Sequence, residues 1–286
     1  MCRMIGVMSR NKMDYKYAIE GRENGGAFHS LKVQSKKAYD APHEDGFGIY
    51  VMSFKDSRQN NEGREPEHEF LFKNGARITE NAELSKRLNY ANGNLLISHI
   101  RKASAGKGEI DGIHAHPYAY VSPDFFKIKG ININNITDWE NSTNPYSSYV
   151  FAHNGTIYNL GDESMTDSQA LLDLIAGNFK NGVDFEGLKE FISDFTGRFD
   201  FTAINFLLKD SKNDLYALRL AKAKRKGDDP QKQPRLAYYS LYYLKDDDKV
   251  VIASEPFDSD RGWKCINNYT LLKIDKDLNI TMAEID

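Results

Sequence analysis

Residues 1–10 read MCRMIGVMSR, a short apolar run that starts with a cysteine directly after the initiator methionine. Two readings of Cys2 follow. It can be a small buried hydrophobe in a strand, since free cysteine is among the most buried residue types. Alternatively, because a residue this small usually permits removal of Met1, the mature chain can begin at Cys2. One residue then carries both a free α-amine, titrating near ~8, and a thiol, near ~8.5, so nucleophile and base come together.

Working outward, the composition describes an ordinary globular protein. With 286 residues, 40% hydrophobic and 12% aromatic, the chain can bury a substantial core. A formal net charge of −3 gives no global field for nucleic acid or an anionic membrane, and no basic stripe with interleaved aromatics is present. Two cysteines, Cys2 and Cys265, are not the usage of a disulfide scaffold. A reducing compartment follows, and Cys265 is read as a packing residue. The N-terminus lacks the long apolar core of a signal peptide, and no stretch approaches ~20 apolar residues, so a cytoplasmic location is expected.

Strand patterns dominate. After CRMIGVM come GFGIYVMSF at 46–54, EFLFK at 69–73, NLLISHI at 94–100, YVFAHNG at 149–155, FDFTAINFLL at 199–208, DLYALRL at 214–220, LAYYSLYYL at 236–244 and KVVIAS at 249–254. Helical patterns occupy 14–25, 79–91, 167–179 and 183–195. Strands and helices come in runs, which predicts a layered α+β protein with antiparallel sheets. Two polar stretches, 55–69 and 222–235, are read as excursions from the core; the basic run in the second is taken as a solvated loop. With no repeat and no linker, residues 1–286 are expected to form one domain.

Candidate functional residues fall in short segments that are each ambiguous alone. Asn154-Gly155 after an apolar strand is also a type I′ turn signal. Thr166 with Gln169 is a capping box, in which Asp167 would favour the helix dipole. Arg101 could be a surface ion-pair partner. His114 and His116 are read as falling on one face of a strand, with His99 and His153 available elsewhere, yet no second half of a metal-ligand pattern accompanies them, so no metal is expected.

In order, however, these segments form a pattern. Met-Cys at the start, HEDGFGIY at 43–50, His99-Ile100-Arg101, His116-Pro117-Tyr118, His153-Asn154-Gly155, Thr166-Asp167-Ser168 and ASEPF at 253–257 resemble the glutaminase domain of class II glutamine amidotransferases, in particular its small standalone members. These are N-terminal-nucleophile hydrolases, and the resemblance runs from residue 2 to about residue 270.

The resemblance implies a four-layer αββα sandwich, two antiparallel sheets between helical layers, with Cys2 at the mouth of a cleft. The implied substrate is the γ-amide of glutamine or of a related γ-glutamyl compound, hydrolysed through a Cys2 thioester without a cofactor. Asn154 and Gly155 match the oxyanion donors, Arg101 the carboxylate-binding arginine and Asp167 the ammonium-binding acid. Ser104 and Asp45 are expected to line the same pocket, and His99 and His153 to support it. Two departures stand out: Lys102 where many members carry Trp, and His114 where many carry Asn. No room is left for a synthase domain, so released ammonia would go to a separate acceptor subunit, or the γ-glutamyl bond would be cleaved for its own sake. The alternative is a non-catalytic descendant that binds a γ-glutamyl ligand or a partner protein.

Overall fold

In the computed structural model, the described residues are 2–21, 30–36, 45–55, 66–102, 112–120, 138–141, 148–162, 164–222, 239–258 and 262–286. They form two sheets whose neighbouring strands all run antiparallel. The larger sheet has the order β12-β10-β11-β1-β4-β2-β3-β6, made of β1 (Arg3–Asp14), β2 (Phe47–Phe54), β3 (Pro66–Asn74), β4 (Asn92–Ile100), β6 (Asp138–Asn141), β10 (Tyr242–Lys245), β11 (Lys249–Ala253) and β12 (Lys264–Cys265). The smaller has the order β14-β13-β9-β8-β7-β5, from β5 (Tyr118–Tyr120), β7 (Tyr149–Ile157), β8 (Phe201–Lys209), β9 (Leu215–Arg219), β13 (Thr270–Ile274) and β14 (Ile280–Glu284).

Period-2 alternation sorts the strand residues into three apolar clusters. Met4 and Met8 of β1, Tyr50 and Met52 of β2, and Leu95 and Ile97 of β4 pack against Val150 and Ala152 of β7, Leu207 of β8 and Ala217 of β9, filling the space between the sheets. The alternate residues Ile5, Val7, Ile49, Val51, Leu96 and Ile100 cover the other face of the larger sheet. Against them lie α1 (Lys16–Glu20), α2 (Leu31–Lys36) and α3 (Leu84–Arg87) through Ile19, Leu31 and Leu84. On the far face of the smaller sheet, Phe151, Phe206 and Leu218 meet Leu171 and Ile175 of α4 (Asp167–Asn178) and Leu188, Ile192 and Phe195 of α5 (Phe185–Arg198).

Helix starts follow local chemistry. Thr166 caps α4 with Gln169 closing a full capping box, and the Asp184 carboxylate accepts from Gly187 N at 2.8 Å at the start of α5. Two helical expectations shrink. The stretch 79–91 yields only α3 and a 3-10 turn over Leu88–Tyr90, because only Leu84, Leu88 and Ala91 are buried there. The pattern at 14–25 ends at Gly21, whose φ of +89° leaves the helical region. Asn154-Gly155 is not a hairpin turn: β7 runs through it to Ile157, with Asn154 opposite Asn205 and Gly155 opposite Ile204 on β8. Only Lys55, the residues from Pro66 and Lys222 of the two polar excursions lie within the described residues. Among the described residues no helix is long and apolar enough to cross a membrane.

Two glycines make opposite predictions. A Cβ on Gly48 would collide with the His116 carbonyl, so this glycine seats the 112–117 segment on β2. Gly48→Ala is expected to cost about 1–3 kcal/mol by overpacking. Gly177, near the end of α4, has nothing within 4 Å of its Cβ position, and Gly177→Ala should stabilise by about 0.5–1 kcal/mol. Urea titration of the two variants checks both signs.

Candidate active site

The same alternation that builds the inter-sheet core carries polar residues to one end of it. Just before β1, Cys2 continues the face of Met4 and Met8; in β7, Asn154 continues the face of Val150 and Ala152. The two meet across the sheets, where Cys2 N donates to Asn154 Oδ1 at 3.0 Å. With its oxygen engaged, Asn154 presents its Nδ2 hydrogens as the remaining donors. The adjacent Gly155 could carry no side chain, since a Cβ there would run into the Ala203 carbonyl on β8.

Register places the next group. Arg3 pairs with Ile100 between β1 and β4, so Cys2 falls opposite Arg101. The Cys2 thiol lies at the main chain just beyond, with Lys102 N donating to Sγ at 3.4 Å. Arg101 is pinned by its own backbone, N to Gly46 O at 2.7 Å, and its Nη1 approaches Asp45 O at 3.5 Å. Asp45 therefore meets Arg101 through its main chain. Gly46 permits this approach with a φ of +111°, where a Cβ would sit 2.9 Å from Asn74 O.

Asp167 belongs to an adjoining group at the end of β7. Its Oδ2 accepts from Ile157 N at 2.8 Å and its Oδ1 from Ser168 N at 2.8 Å, tying the start of α4 to the end of β7. His153, one residue before Asn154, points the opposite way: Nδ1 lies 2.9 Å from Ser168 Oγ, and Nε2 donates to Ala203 O at 3.3 Å. His99 faces the inter-sheet side and donates from Nε2 to His153 O at 3.2 Å. Thus Cys2, Asn154, Arg101 and Asp45 are brought together, Asp167 and His153 flank them through β7, and Ser104 lies outside the described residues. His114 and His116 sit in a bend, not on a strand face. Among the described residues, no three His, Cys, Asp or Glu side chains are grouped to hold a metal ion.

Three residues around Cys2 were not singled out from sequence. Arg3 is buried, pairs with Glu255 at 2.7 Å and reaches the Cys2 carbonyl at 3.5 Å. Ser254 accepts from Met4 N through its Oγ at 2.9 Å and donates its own N–H to Met4 O at 3.0 Å. The ASEPF motif was the available signal, but nothing in it says that Ser254 and Glu255 grip the first residues of β1. Cys265 is free and half-buried, with its Sγ 3.0 Å from Nη1 of Arg219.

Burial shapes the protonation of the site. Desolvation pushes the Cys2 thiol up, opposed by the Lys102 N–H and the guanidinium groups of Arg101 and Arg3. His116 is held well below 6.5 by burial, then by the repulsion its charged form would meet from the charged forms of His99 and His153 and from Lys73 and Arg101. Burial also lowers His153, against the opposing pull of Asp167. Both imidazoles are therefore neutral in the fold while an unfolded histidine takes its proton near 6.5. Their contribution to stability is complete above that pH and is lost as the pH falls towards the lower folded values. Urea midpoints measured from pH 7.5 down to 5.5 should fall, and a flat or rising series would contradict this.

No family model matches the chain. It is 26% identical over 293 residues to a Haemophilus influenzae protein named "Putative glutamine amidotransferase", covering 94% of this chain and 82% of that protein. In fold it is similar to the solved structure of a glutamine aminotransferase class-II domain protein from Silicibacter pomeroyi, with a TM-score of 0.50, 14% identity and 99% of each chain covered. The architecture of two antiparallel sheets with few helices, an α+β fold, is consistent with that neighbour.

Proposed function

We propose that this chain is a γ-glutamyl amidohydrolase of the class II, N-terminal-nucleophile kind, acting on glutamine or a related γ-glutamyl compound. The observation that carries the reading is the Cys2 N to Asn154 Oδ1 hydrogen bond, with the Cys2 thiol beside the Arg101-Lys102 main chain. The name of the H. influenzae relative agrees with it. On this reading the three apolar clusters separate the layers of a four-layer αββα sandwich, and the whole chain is one domain.

The chemistry follows from the placement. Once Met1 is removed, the Cys2 nitrogen is a primary amine that donates to Asn154 in either protonation state. In its neutral form the amine keeps a lone pair for the thiol proton. The thiolate attacks the γ-carbonyl carbon, and the oxyanion is received by Asn154 Nδ2 and the Gly155 N–H. The ammonium returns its proton to the leaving nitrogen, the C–N bond breaks, and ammonia leaves a γ-glutamyl thioester. Water, deprotonated by the same amine, then cleaves the thioester to glutamate. Arg101 binds the substrate's α-carboxylate and Asp167 its α-ammonium, with Ser104 and Asp45 lining the pocket. The ammonia passes to a separate acceptor subunit, or the γ-glutamyl bond is itself the target. Lys102 and His114, where the pattern departs from most members, bear on the γ-substituent and on any docking partner.

Glutamate release from glutamine and from γ-glutamyl amides, read for each variant, tests this. Cys2→Ala should abolish turnover. Asn154→Ala should lower kcat by roughly 100- to 1,000-fold. Arg101→Lys should raise KM about tenfold or more, by loss of the planar fork. Turnover retained in Cys2→Ala would overturn the proposal, and ligand binding without turnover in the wild type would favour a non-catalytic binding protein.

A further inference from the structure

The strand that carries Asn154 and Gly155 is held in an unusual way just before them. β5 pairs with β7 from Tyr118 opposite Phe151 to Tyr120 opposite Tyr149. Extending that register by two residues would set residue 116 opposite His153. The ladder stops short of this point: β5 begins at Tyr118, and Pro117 has no N–H. His153 N–H, buried and turned towards the missing strand, would be an orphan donor costing about 1–3 kcal/mol. It is satisfied by a side chain instead, donating to His116 Nδ1 at 3.2 Å, while the His153 carbonyl accepts from His99 Nε2 at 3.2 Å. The two imidazoles that take these groups lie against each other with ring centroids 4.4 Å apart, and His116 also packs on Tyr118 at 4.7 Å.

We propose that His116 is a positioning residue for this reaction: its Nδ1 lone pair substitutes for the absent strand, and with His99 it sets the height of β7 at the oxyanion donors Asn154 and Gly155. The kinetic part of the inference rests on the function proposed above; the structural part does not. Only the neutral imidazole can serve, because a proton on Nδ1 would oppose one N–H to another. The groups facing it are the cations and imidazoles His99, His153, Lys73 and Arg101, none of which would favour that proton. Acid should therefore loosen the oxyanion strand before it unfolds the protein.

The test compares His116→Asn, whose amide oxygen can take the place of Nδ1, with His116→Phe, which keeps a ring and loses the acceptor. Amide hydrogen exchange at His153, read by NMR with folding checked by thermal melts, should be slow in the wild type and in His116→Asn and at least tenfold faster in His116→Phe. On glutamine or a γ-glutamyl amide, His116→Phe should lower kcat by about 10- to 100-fold with KM changed less than about threefold, as expected for misplaced donors. Turnover in His116→Asn should stay within a few-fold of wild type, and its kcat should fall less steeply than the wild type's at acid pH, where protonation of the Cys2 amine lowers both. Alkylation of Cys2 by iodoacetamide, which needs no oxyanion donors, should proceed alike in all three. Unchanged His153 exchange in a folded His116→Phe, or equal loss of kcat in both variants, would overturn the assignment. A wild type that shows the exchange pattern without turnover would overturn the proposed function and leave the clamp standing.

Discussion

One hydrogen bond, from the main-chain nitrogen of Cys2 in one sheet to the side-chain oxygen of Asn154 in the other, is the constraint on which the rest of the site depends. It spans the gap that the inter-sheet core fills elsewhere with Met4, Met8, Ala152 and Leu207. A bond of this length can form only where two sheets, each positioned by many apolar contacts, arrive at the right separation. The grip of Ser254 and Glu255 on residues 3 and 4, and that of His99 and His116 on residue 153, act on its two ends. Far along the same interface, Glu69 and Lys209 are buried as well, with Lys209 pushed down to about 8 by desolvation despite the favourable field of Glu69. Buried polar groups thus stand in more than one place between two largely apolar faces.

Alternation along single strands separates the chemistry from its support. In β7, Ala152 and Asn154 look towards the larger sheet while Phe151 and His153 look towards α4. A one-residue slip of β7 would exchange these faces, putting an imidazole into the cleft and an amide against the helix. Pairing of Asn154 with Asn205 and of Gly155 with Ile204 on β8 holds the register, and the absence of a side chain on Gly155 lets the strands close there. Asp167 is tied into the same arrangement by accepting from Ile157 N, which joins the first turn of α4 to the end of β7.

Much of this was legible in the sequence, for identifiable reasons. The apolar runs at 46–54, 94–100 and 149–155 became β2, β4 and β7, because alternation with two covered faces leaves a strong pattern. The capping box at Thr166 was readable because it is purely local. The closing hairpin of β13 and β14 was missed although the TLLKI run of β13 is apolar and buried; its partner β14 is mostly exposed on the sheet edge. Asn154-Gly155 has the chemistry of a turn, and only the partner strand β8 decides otherwise. The site residues came from the order of several motifs, whereas the roles of Arg3, Ser254, Glu255 and His116 depend on contacts between distant parts of the chain, such as Met4 with Ser254 and Arg3 with Glu255, which no local pattern encodes.

The most direct test is an intact-protein mass spectrum after incubation with a glutamine-like diazo-ketone, followed by peptide mapping. The account predicts a chain lacking Met1 that gains one label, on Cys2, with glutamine protecting against the reaction. A chain that keeps Met1 and stays unlabelled, or that is labelled on Cys265 instead, would contradict it.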